Sequence, residues 1–344
     1  MAPRNKVTLK KIAELLKVTP ATVSKALHDS SDISDAMRKK VKKTADKLGY
    51  RPNILARTLI QHRSFLLGVI IPDLRISFFS ESSRGIYERA RKRNYETILM
   101  VHDEKHEIEK ENLEFLSDLH VDGILLNPAP GKFNYDVYDK LVEEGIQIVC
   151  YDRKLDDYNF PSVTIDDRKA SYILTCEMLR LRRRKILFLG PNKGISVARE
   201  RYLGYLDALS AYKVALNPDY VIPSDLSQTH SYEKMKSALD RGIEPDAVVC
   251  VGALVAYGAG NAILDSGLSI PDDIILGEFG DNDINSRLGV PFLTINQNPY
   301  KIGQAAVDLL VQNIEAKEKV VSEHIIIETK LLRREYGIRR HRSV

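Results

Sequence analysis

From residue 65 onward, strand-length apolar runs alternate with amphipathic stretches of helical periodicity, and this alternation limits the possible folds more than any other sequence feature. It is typical of a parallel sheet with crossover helices. The predicted strands are 66–71, 96–101, 123–126, 146–151, 185–189, 247–251 and 274–279, and the predicted helices are 81–93, 108–119, 168–181, 198–211 and 258–266. About nine or ten such units exceed one doubly wound sheet, so we expect a two-lobed α/β domain with a ligand cleft at the carboxyl ends of the strands.

The beginning of the chain has a different pattern, with three short helices that carry clear start signals. Thr8, Thr19 and Ser34 are the predicted N-caps, because their side-chain oxygens can accept from the free amides of a first helical turn. Pro20 occupies the first position of the second helix, where its missing N–H is tolerated, and Gly49 ends the third helix. These helices predict a small all-α domain.

Between the two patterns, residues 51–64 lack a long apolar face, and we expect a hinge with one or two marginal helical turns. The predicted domains are therefore the all-α domain at 1–50, the hinge at 51–64, the two-lobed domain at 65–335 and a basic tail at 336–344. The tail has no heptad repeat, so no coiled-coil tetramer is expected.

Positive charge is concentrated at the N-terminal end. Residues 1–64 hold 15 Lys and Arg against 5 Asp and Glu, a balance of +10, whereas the remainder holds 36 against 42, a balance of −6. Like charges gathered on one small domain create a local field that attracts a polyanion and favour contacts with phosphate groups. The charge distribution therefore predicts a nucleic-acid-binding head.

Cysteine usage and the lengths of the apolar runs predict a cytoplasmic protein. Cys150, Cys176 and Cys250 form neither a disulfide framework nor a zinc pattern, and no apolar run suits a signal core or a membrane span. No phosphate-binding loop or catalytic motif is found. His102 and His106 lie four residues apart, but their charged surroundings favour a solvated loop over a metal site. We expect no enzyme activity, no cofactor, no metal and no membrane association.

A tight turn at residues 17–19 joins the first two helices in the manner of a helix-turn-helix, whose second helix enters the major groove of DNA. The motifs Thr19-Pro-Ala-Thr-Val-Ser-Lys-Ala-Leu27 and Gly49-Tyr-Arg-Pro-Asn53 closely resemble the lactose/galactose-repressor (LacI/GalR) family. Further matching motifs, which extend the resemblance to about residue 335, are 68–72, 78–79, 121–125, 151–153, 198–201, 245–247, 267–273 and 293–297.

The resemblance implies a periplasmic-binding-protein-like (type I) regulatory domain, in agreement with the alternating pattern. It also implies a sequence-specific transcription regulator that binds a pseudo-palindromic, double-stranded DNA operator as a homodimer under the control of a small-molecule effector, with a carbohydrate-related effector expected. Repression is expected, and an activator or dual regulator stays open because promoter geometry decides the sign. A periplasmic binding protein is disfavoured by the basic head.

By position in the family motif, Pro20, Ala21 and Lys25 face base edges. A lysine can donate to guanine O6 and N7, whereas Pro20 and Ala21 can contact a thymine methyl group. A phosphate contact is the alternative for Lys25. The expected contacts to the DNA backbone are Thr8, Thr19, Thr22, Ser24, Asn53 and Arg57, with helix capping as the alternative for Thr8 and Thr19.

Two hinge residues, Ala56 and Leu59, match those with which the family enters the minor groove, where the leucine wedges between base pairs. The alternative is that Leu59 packs against a partner's hinge or its own regulatory domain. Lys17 departs from the family pattern, which usually has glycine in this turn. If the position requires a positive φ, lysine costs about 1 kcal/mol.

The family's effector positions correspond to Phe78, Phe79, Asp152, Arg153, Asp166, Arg201 and Asp281. The resemblance implies that the two phenylalanines form a stacking wall and that the charged residues contact a sugar. Two alternatives stay open: Phe78 and Phe79 belong to the core, or Asp152 and Arg153 form an internal ion pair.

Three positions of the expected cleft depart from the family pattern. Gly252 and Gly280 stand where Asn or Asp is usual, and Leu226 stands where an aromatic residue is usual. Without these hydroxyl-binding groups, the sequence argues against an ordinary pyranose. The effector is expected to be larger, phosphorylated, less polar or absent, and Glu278 and Asn282 are candidates to replace the missing contacts.

Overall fold

The computed structural model describes residues 7–27, 32–50, 63–191, 194–280, 292–316 and 323–334. The chain divides into two compact units, residues 1–64 and residues 65–344. The predicted hinge, apart from residues 63 and 64, and the predicted tail lie outside the described residues.

The first unit contains the three predicted helices, α1 (Leu9–Leu16), α2 (Pro20–Leu27) and α3 (Asp35–Leu48). Their start signals act as predicted, since Thr8 accepts from the amide of Lys11 and Ser34 accepts from the amide of Met37. The three helices enclose a small core that consists of Ile12, Ala13, Val23, Ala26, Val41 and Ala45. This packing confirms the predicted all-α domain.

Lys17 ends α1 in the left-handed conformation, with φ 54° and ψ 44°. A residue with a Cβ is strained in this conformation by about 1 kcal/mol. Lys17 therefore carries the strain that was expected if the position required a positive φ. The amide of Val18 donates to the carbonyl of Ala13, and this hydrogen bond closes the turn. The tight turn of the helix-turn-helix therefore forms without glycine.

The second unit contains two six-stranded sheets. The sheet of lobe 1 has the order β2-β1-β3-β4-β5-β11, and the sheet of lobe 2 has the order β7-β6-β8-β9-β10-β12. The strands of lobe 1 are β1 (Leu66–Ile71), β2 (Glu96–Val101), β3 (Gly123–Leu126), β4 (Gln147–Tyr151), β5 (Ser162–Thr164) and β11 (His324–Ile326). Those of lobe 2 are β6 (Ile186–Leu189), β7 (Val221–Ile222), β8 (Ala247–Cys250), β9 (Ile275–Phe279), β10 (Phe292–Asn296) and β12 (Lys330–Arg334).

Helices cover both sheets. Lobe 1 carries α4 (Ser77–Lys92), α5 (His106–Asp118), α6 (Tyr135–Glu143) and α11 (Pro299–Glu315). Lobe 2 carries α7 (Asp167–Arg180), α8 (Ser196–Ala211), α9 (Gln228–Asp240), α10 (Ala253–Asp265) and a short 3₁₀ helix, Pro218–Tyr220. Among the described strands, only β10 and β12 pair antiparallel, so the predicted parallel sheets with crossover helices are confirmed.

The chain passes between the lobes three times, through residues 165–166, 297–298 and 327–329. After completing most of lobe 2 it returns to lobe 1, where α11 packs against α4. The two helices approach so closely that a Cβ on Gly85 would lie 2.3 Å from the carbonyl oxygen of Tyr300, and only glycine fits there. The alternating sequence pattern predicts the two lobes but not this return of the chain to lobe 1.

Candidate functional site

The exposed face of α2 carries the three residues that were predicted to read bases. Pro20, Ala21 and Lys25 are exposed, whereas Val23 and Ala26 of the same helix are buried. The amino group of Lys25 forms an ion pair with Asp32, and both side chains are about half exposed. The helix therefore buries one side and presents the predicted residues on the other.

The predicted backbone contacts of this unit have local partners. The hydroxyl oxygen of Thr8 accepts from the Lys11 amide at 3.4 Å, and that of Thr19 accepts from the Thr22 amide at 3.1 Å. Thr19 and Thr22 also share a hydroxyl hydrogen bond of 2.9 Å. Thr8 and Thr19 therefore both act as helix caps, which was the alternative to a contact with the DNA backbone. Ser24 is half-buried, and Asn53, Ala56, Arg57 and Leu59 lie outside the described residues.

A cavity of about 890 Å³ lies between the two sheets of the second unit. Residues that follow the carboxyl ends of the strands form much of its wall, as predicted: Pro72 after β1, Asp103 after β2, Asp152 after β4, Val251 after β8 and Gly280 after β9. Because both lobes supply the wall, a bound molecule would contact both at once.

Arg201 is the most constrained polar residue of this wall. It is 5% exposed, and it donates from Nε to Asp167 at 2.7 Å, from Nη1 to the carbonyl of Val251 at 2.6 Å and from Nη2 to Gln297 Oε1 at 2.8 Å. Its guanidinium carbon lies 4.0 Å from the centroid of the Phe279 ring. Burial raises the pKa of Asp167 to about 7, and the charge of Arg201 opposes this shift. The guanidinium is thus fixed before any ligand arrives.

Arg153 is also buried, and its ion-pair partner is Glu104. Two hydrogen bonds of 2.6 Å join the guanidinium to the two oxygens of that carboxylate. Burial alone would raise the pKa of Glu104, but the hydrogen bonds and charge of Arg153 lower it below its usual value. Arg153 therefore does form an internal ion pair, but with a residue 49 positions away instead of with Asp152.

Asp152 lies at the carboxyl end of β4 with a left-handed backbone, φ 61°. Its carboxylate accepts from the side-chain amide of Asn127 at 3.0 Å. Burial raises the pKa of Asp152, while the charges of Arg153 and Arg201 and the hydrogen bond from Asn127 oppose the shift. Asp152 is thus an acceptor in the cavity wall.

The other predicted effector residues have three different outcomes. Phe78 and Phe79 line the cavity at the start of α4, but they are 8% and 3% exposed and pack edge to face at 5.1 Å, so they also belong to the core. Asp166 caps α7 by accepting from the Lys169 amide and is not part of the cavity wall among the described residues. Asp281 lies outside the described residues.

Gly252, Gly280 and Leu226 line the cavity. Glu278, which the sequence analysis proposed as a replacement contact, is fully buried and accepts from the hydroxyl of Thr294. It does not belong to the described cavity wall, and Asn282 lies outside the described residues.

Four polar residues of the site, Glu104, Asn127, Asp167 and Gln297, were not predicted from the sequence. Asp167 adjoins the predicted Asp166, and Gln297 closes a motif that carried the family resemblance. Glu104 and Asn127 follow the carboxyl ends of β2 and β3, and this position was a usable signal.

The solvated loop predicted around His102 is wrong. His102 is fully buried, and its Nε2 lies 3.0 Å from the carbonyl oxygen of Asn127. It directly follows the carboxyl end of β2, and Asn127 directly follows that of β3. His106 begins α5 and stacks on Phe133. Within the described ranges, no group of three His, Cys, Asp or Glu residues could hold a metal ion. None of the described helices is long and apolar enough to span a membrane.

A basic three-helix unit with an outward second helix, joined to a two-lobed unit with a polar cavity, defines a ligand-responsive DNA-binding regulator. Residues 8–53 match the family model for bacterial regulatory proteins of the lacI family, and residues 64–335 match the model for periplasmic binding proteins and the sugar binding domain of the LacI family. The chain belongs to the LacI family of bacterial transcription regulators, as its sequence predicted.

Several proteins are similar over nearly the whole chain. The HTH-type transcriptional regulator RegA of Clostridium saccharobutylicum is 29% identical over 332 residues, which are 96% of this chain and 99% of the relative. The ribose operon repressor of Haemophilus influenzae is 29% identical over 95% of this chain and 97% of its own length. The structure of the lac repressor dimer bound to operator and the anti-inducer ONPF superimposes with a TM-score of 0.85 at 23% identity, covering 96% of this chain and 99% of that one.

Proposed function

We propose that this chain is a repressor that binds a pseudo-palindromic operator as a homodimer, and that a small carbohydrate-related molecule in the cavity between the lobes controls it. The observation that carries the proposal is the outward face of α2, where Pro20, Ala21 and Lys25 are exposed on the basic head. The protein acts in the cytoplasm, without catalytic activity, cofactor or metal.

Similar proteins support three parts of this proposal, which are operator binding, the homodimer and the sugar-related effector. One similar protein is named a ribose operon repressor, and the lac repressor was solved as a dimer on its operator. A two-fold dimer requires a two-fold symmetric site on DNA. Operator binding, the homodimer and a sugar-related effector follow for this chain by analogy with those proteins.

On DNA, the amino group of Lys25 leaves the carboxylate of Asp32 and donates to a base edge instead. An exposed ion pair such as Lys25–Asp32 contributes at most about 1 kcal/mol, so a guanine edge can replace the carboxylate at small cost. Thr8 and Thr19 keep their hydroxyl oxygens in caps and can donate their hydroxyl hydrogens to phosphates. Ala56 and Leu59 remain the predicted minor-groove contacts of the hinge.

The effector acts through the relative orientation of the lobes. Arg199 of α8 in lobe 2 forms a bidentate ion pair with Asp156 of lobe 1, with N–O distances of 2.7 and 3.0 Å. The amide of Gly131 in lobe 1 also donates to the carbonyl of Gly194 in lobe 2. A ligand that favours one lobe orientation shifts the population of DNA-binding-competent dimers by its differential affinity.

In vitro selection of random duplex DNA by the full-length protein, near physiological salt, tests the proposal. The wild type should enrich a two-fold symmetric site, and Lys25→Ala should relax the preference at one symmetric pair of positions. Lys39→Ala, which removes an exposed lysine from α3, is the matched control and should leave the site unchanged. Failure of the wild type to enrich any sequence, with or without added metabolites, would contradict DNA reading by this head.

The sign of regulation has its own test. A reporter promoter that contains the selected site should be less active when the protein is present. Increased activity would favour the activator that the sequence analysis left open.

A further inference from the structure

The two walls of the cavity differ in charge. Among its described residues, lobe 1 contributes four carboxylates and three cations, which are Asp73, Asp103, Glu104, Asp152, Arg75, Lys105 and Arg153. Among its described residues, lobe 2 contributes one of each, Asp225 and Arg201. Asp225 is an exposed residue that pairs with His230, and Glu278 lies behind Gly280 instead of in the wall. Among the described residues, the deep part of the lobe 2 wall therefore contains one cation, Arg201, and the carboxylate paired with it, Asp167, lies outside the wall on the Nε side of the guanidinium.

Three of the described helices of lobe 2 begin at this wall. The first turns of α8, α9 and α10 all contribute lining residues. Only α9 has a side-chain cap, from Ser227, whereas α8 follows Ile195 and α10 follows Gly252 without one. Free amides in a first turn and the helix dipole place partial positive charge at such ends. The lobe 2 wall is therefore arranged to donate hydrogen bonds.

The space next to the start of α10 is open. A Cβ added to Gly252 would meet no atom within 4 Å, and the extended backbone there, φ −169°, is one that any residue adopts. Glycine is not required at this position by the backbone or by packing. Its effect is to leave room where a capping side chain would otherwise stand.

Gln297 independently points to a ligand. It is only 4% exposed and lines the cavity. Its Oε1 accepts from Arg201, which fixes the amide, and its Nε2 donates to no described residue. Arg201 uses one N–H of each Nη group on Val251 and Gln297, so each Nη group retains a second N–H. These donors on a fixed cation suit an oxyanion.

We propose that the effector carries an acidic group, a phosphate or a carboxylate, and that this group binds to the lobe 2 wall between Arg201, Gln297 and the first turn of α10 beside Gly252. The hydroxyl groups of the same molecule face the carboxylates of lobe 1, with Asp152 as the principal acceptor. This inference rests on the proposed function, since it specifies the chemical class of the effector.

Calorimetric titration of the full-length protein with matched sugars tests this inference. The sets are glucose with glucose 6-phosphate and glucuronate, galactose with galactose 6-phosphate and galacturonate, and ribose with ribose 5-phosphate. At least one acid-bearing member should bind tenfold or more tightly than its neutral parent, and the phosphates and carboxylates distinguish the two acids. Equal or tighter binding of the neutral parents, or no binding by any acid-bearing member, would overturn the inference.

Two variants isolate the effect of a negative charge at position 252 on ligand binding. Gly252→Asp and Gly252→Asn add side chains of nearly the same shape in open space, and thermal unfolding verifies that both fold. The acid-bearing ligand should bind Gly252→Asp at least tenfold more weakly than Gly252→Asn. Equal affinities of the two variants would contradict an acidic group at this position.

Operator binding separates the two hypotheses. If the ligand-free protein binds its selected operator and a neutral sugar releases it while acid-bearing sugars do not, the proposed function stands and the acidic effector is wrong. If the protein selects no operator under any condition, the proposed function itself fails.

Discussion

Arg201 is the single residue that connects the most parts of the cavity wall. It joins α7, β8 and the crossing at residue 297 through three hydrogen bonds, and it stacks on Phe279 of β9. A lysine could keep the charge but could not make three fixed hydrogen bonds or stack as a plane. The planar guanidinium is therefore what this position requires.

We expect Arg201→Lys to weaken effector binding at least tenfold and to lower the free energy of unfolding by about 2 kcal/mol, because each lost charged hydrogen bond is worth about 1.5–3 kcal/mol. Calorimetric titration and chemical denaturation measure the two effects. Arg168→Lys is the matched control, since Arg168 pairs with Asp207 on the surface of lobe 2 outside the cavity. Unchanged affinity in Arg201→Lys would show that the guanidinium does not position the ligand.

His102 should make the stability of the protein sensitive to acid. Burial lowers its pKa below the usual 6.5, while the charges of Glu109 and Glu104 and the carbonyl of Asn127 oppose the shift. Below pH 6.5 the unfolded chain therefore binds more protons than the folded one. This contribution to stability is full above pH 6.5 and is lost as the pH falls through the folded-state pKa, with a slope of at most about 1.4 kcal/mol per pH unit.

The variant His102→Gln should remove this part of the pH dependence, because glutamine does not titrate and its Nε2 can still donate to the Asn127 carbonyl. Chemical denaturation between pH 5 and 7.5 measures it. His120→Gln changes an exposed histidine and should leave the wild-type slope intact. Parallel curves for the wild type and His102→Gln would contradict the prediction.

At the scale of elements, Lys17 shows that a turn usually made by glycine forms with a side chain present. Replacing Lys17 by glycine should stabilise the first unit by about 1 kcal/mol, because the left-handed conformation no longer carries a Cβ. Lys17→Ala removes the same charge but keeps the Cβ, so it should give no comparable gain. Hydrogen exchange of the α1 and α2 amides in the full-length chain reports the difference, and equal protection in both variants would argue against strain at this residue.

Apolar runs predicted several strands to the residue. The bounds of β1, β2 and β3 are those of the sequence prediction, because interior strands of a parallel sheet are apolar on both faces and even the edge strand β2 is mostly apolar. Short or peripheral strands gave no such signal. The strand β11, at the edge of lobe 1, has only three residues, of which two are exposed, and it was missed together with β5, β7 and β12. The five-residue strand β10, which lies between β9 and β12, was missed as well.

Helix starts were less predictable than strand bounds. The helix α4 begins at Ser77, four residues before its predicted start, and α10 begins at Ala253, five residues before. Neither helix has a side-chain cap, so the usual start signal is absent in each case. Both early turns lie at the cavity, where a ligand can take the place of the cap.

Site residues could be predicted from sequence only one at a time. Arg153 and Arg201 match family motifs, but their carboxylate partners lie 49 and 34 residues away. No periodicity connects such positions, because the fold brings together loops that follow different strands. The sequence therefore predicted the location of the cleft but not which charges are paired and which remain available to a ligand.

At the scale of the whole molecule, the lobes are joined by three chain crossings and by the ion pair between Asp156 and Arg199. Both side chains of this pair are partly exposed, at 45% and 34%, so its contribution is limited to about 1 kcal/mol. An interaction of this size can shift a two-state equilibrium up to about fivefold. The pair is therefore suited to adjusting lobe orientation without fixing it.

Asp156→Ala should change effector affinity by up to about fivefold and lower the free energy of unfolding by at most about 1 kcal/mol. Calorimetric titration and denaturation check both expectations. Asp207→Ala breaks an ion pair of similar geometry that lies within lobe 2 and should not alter affinity. If the exchanged pair Asp156→Arg with Arg199→Asp fails to restore an affinity lost in the single variants, the pair does not couple the lobes.

The late return of the chain to lobe 1 determines the order in which the protein can be completed during synthesis. The first unit consists of contacts between neighbours in sequence and can fold as soon as residue 50 has left the ribosome. Lobe 1 receives α11 and β11 only after almost all of lobe 2 has been made, and α4 lacks its close-packed neighbour until then. A message that ends before residue 299 would thus encode an intact DNA reader joined to an unfinished sensor.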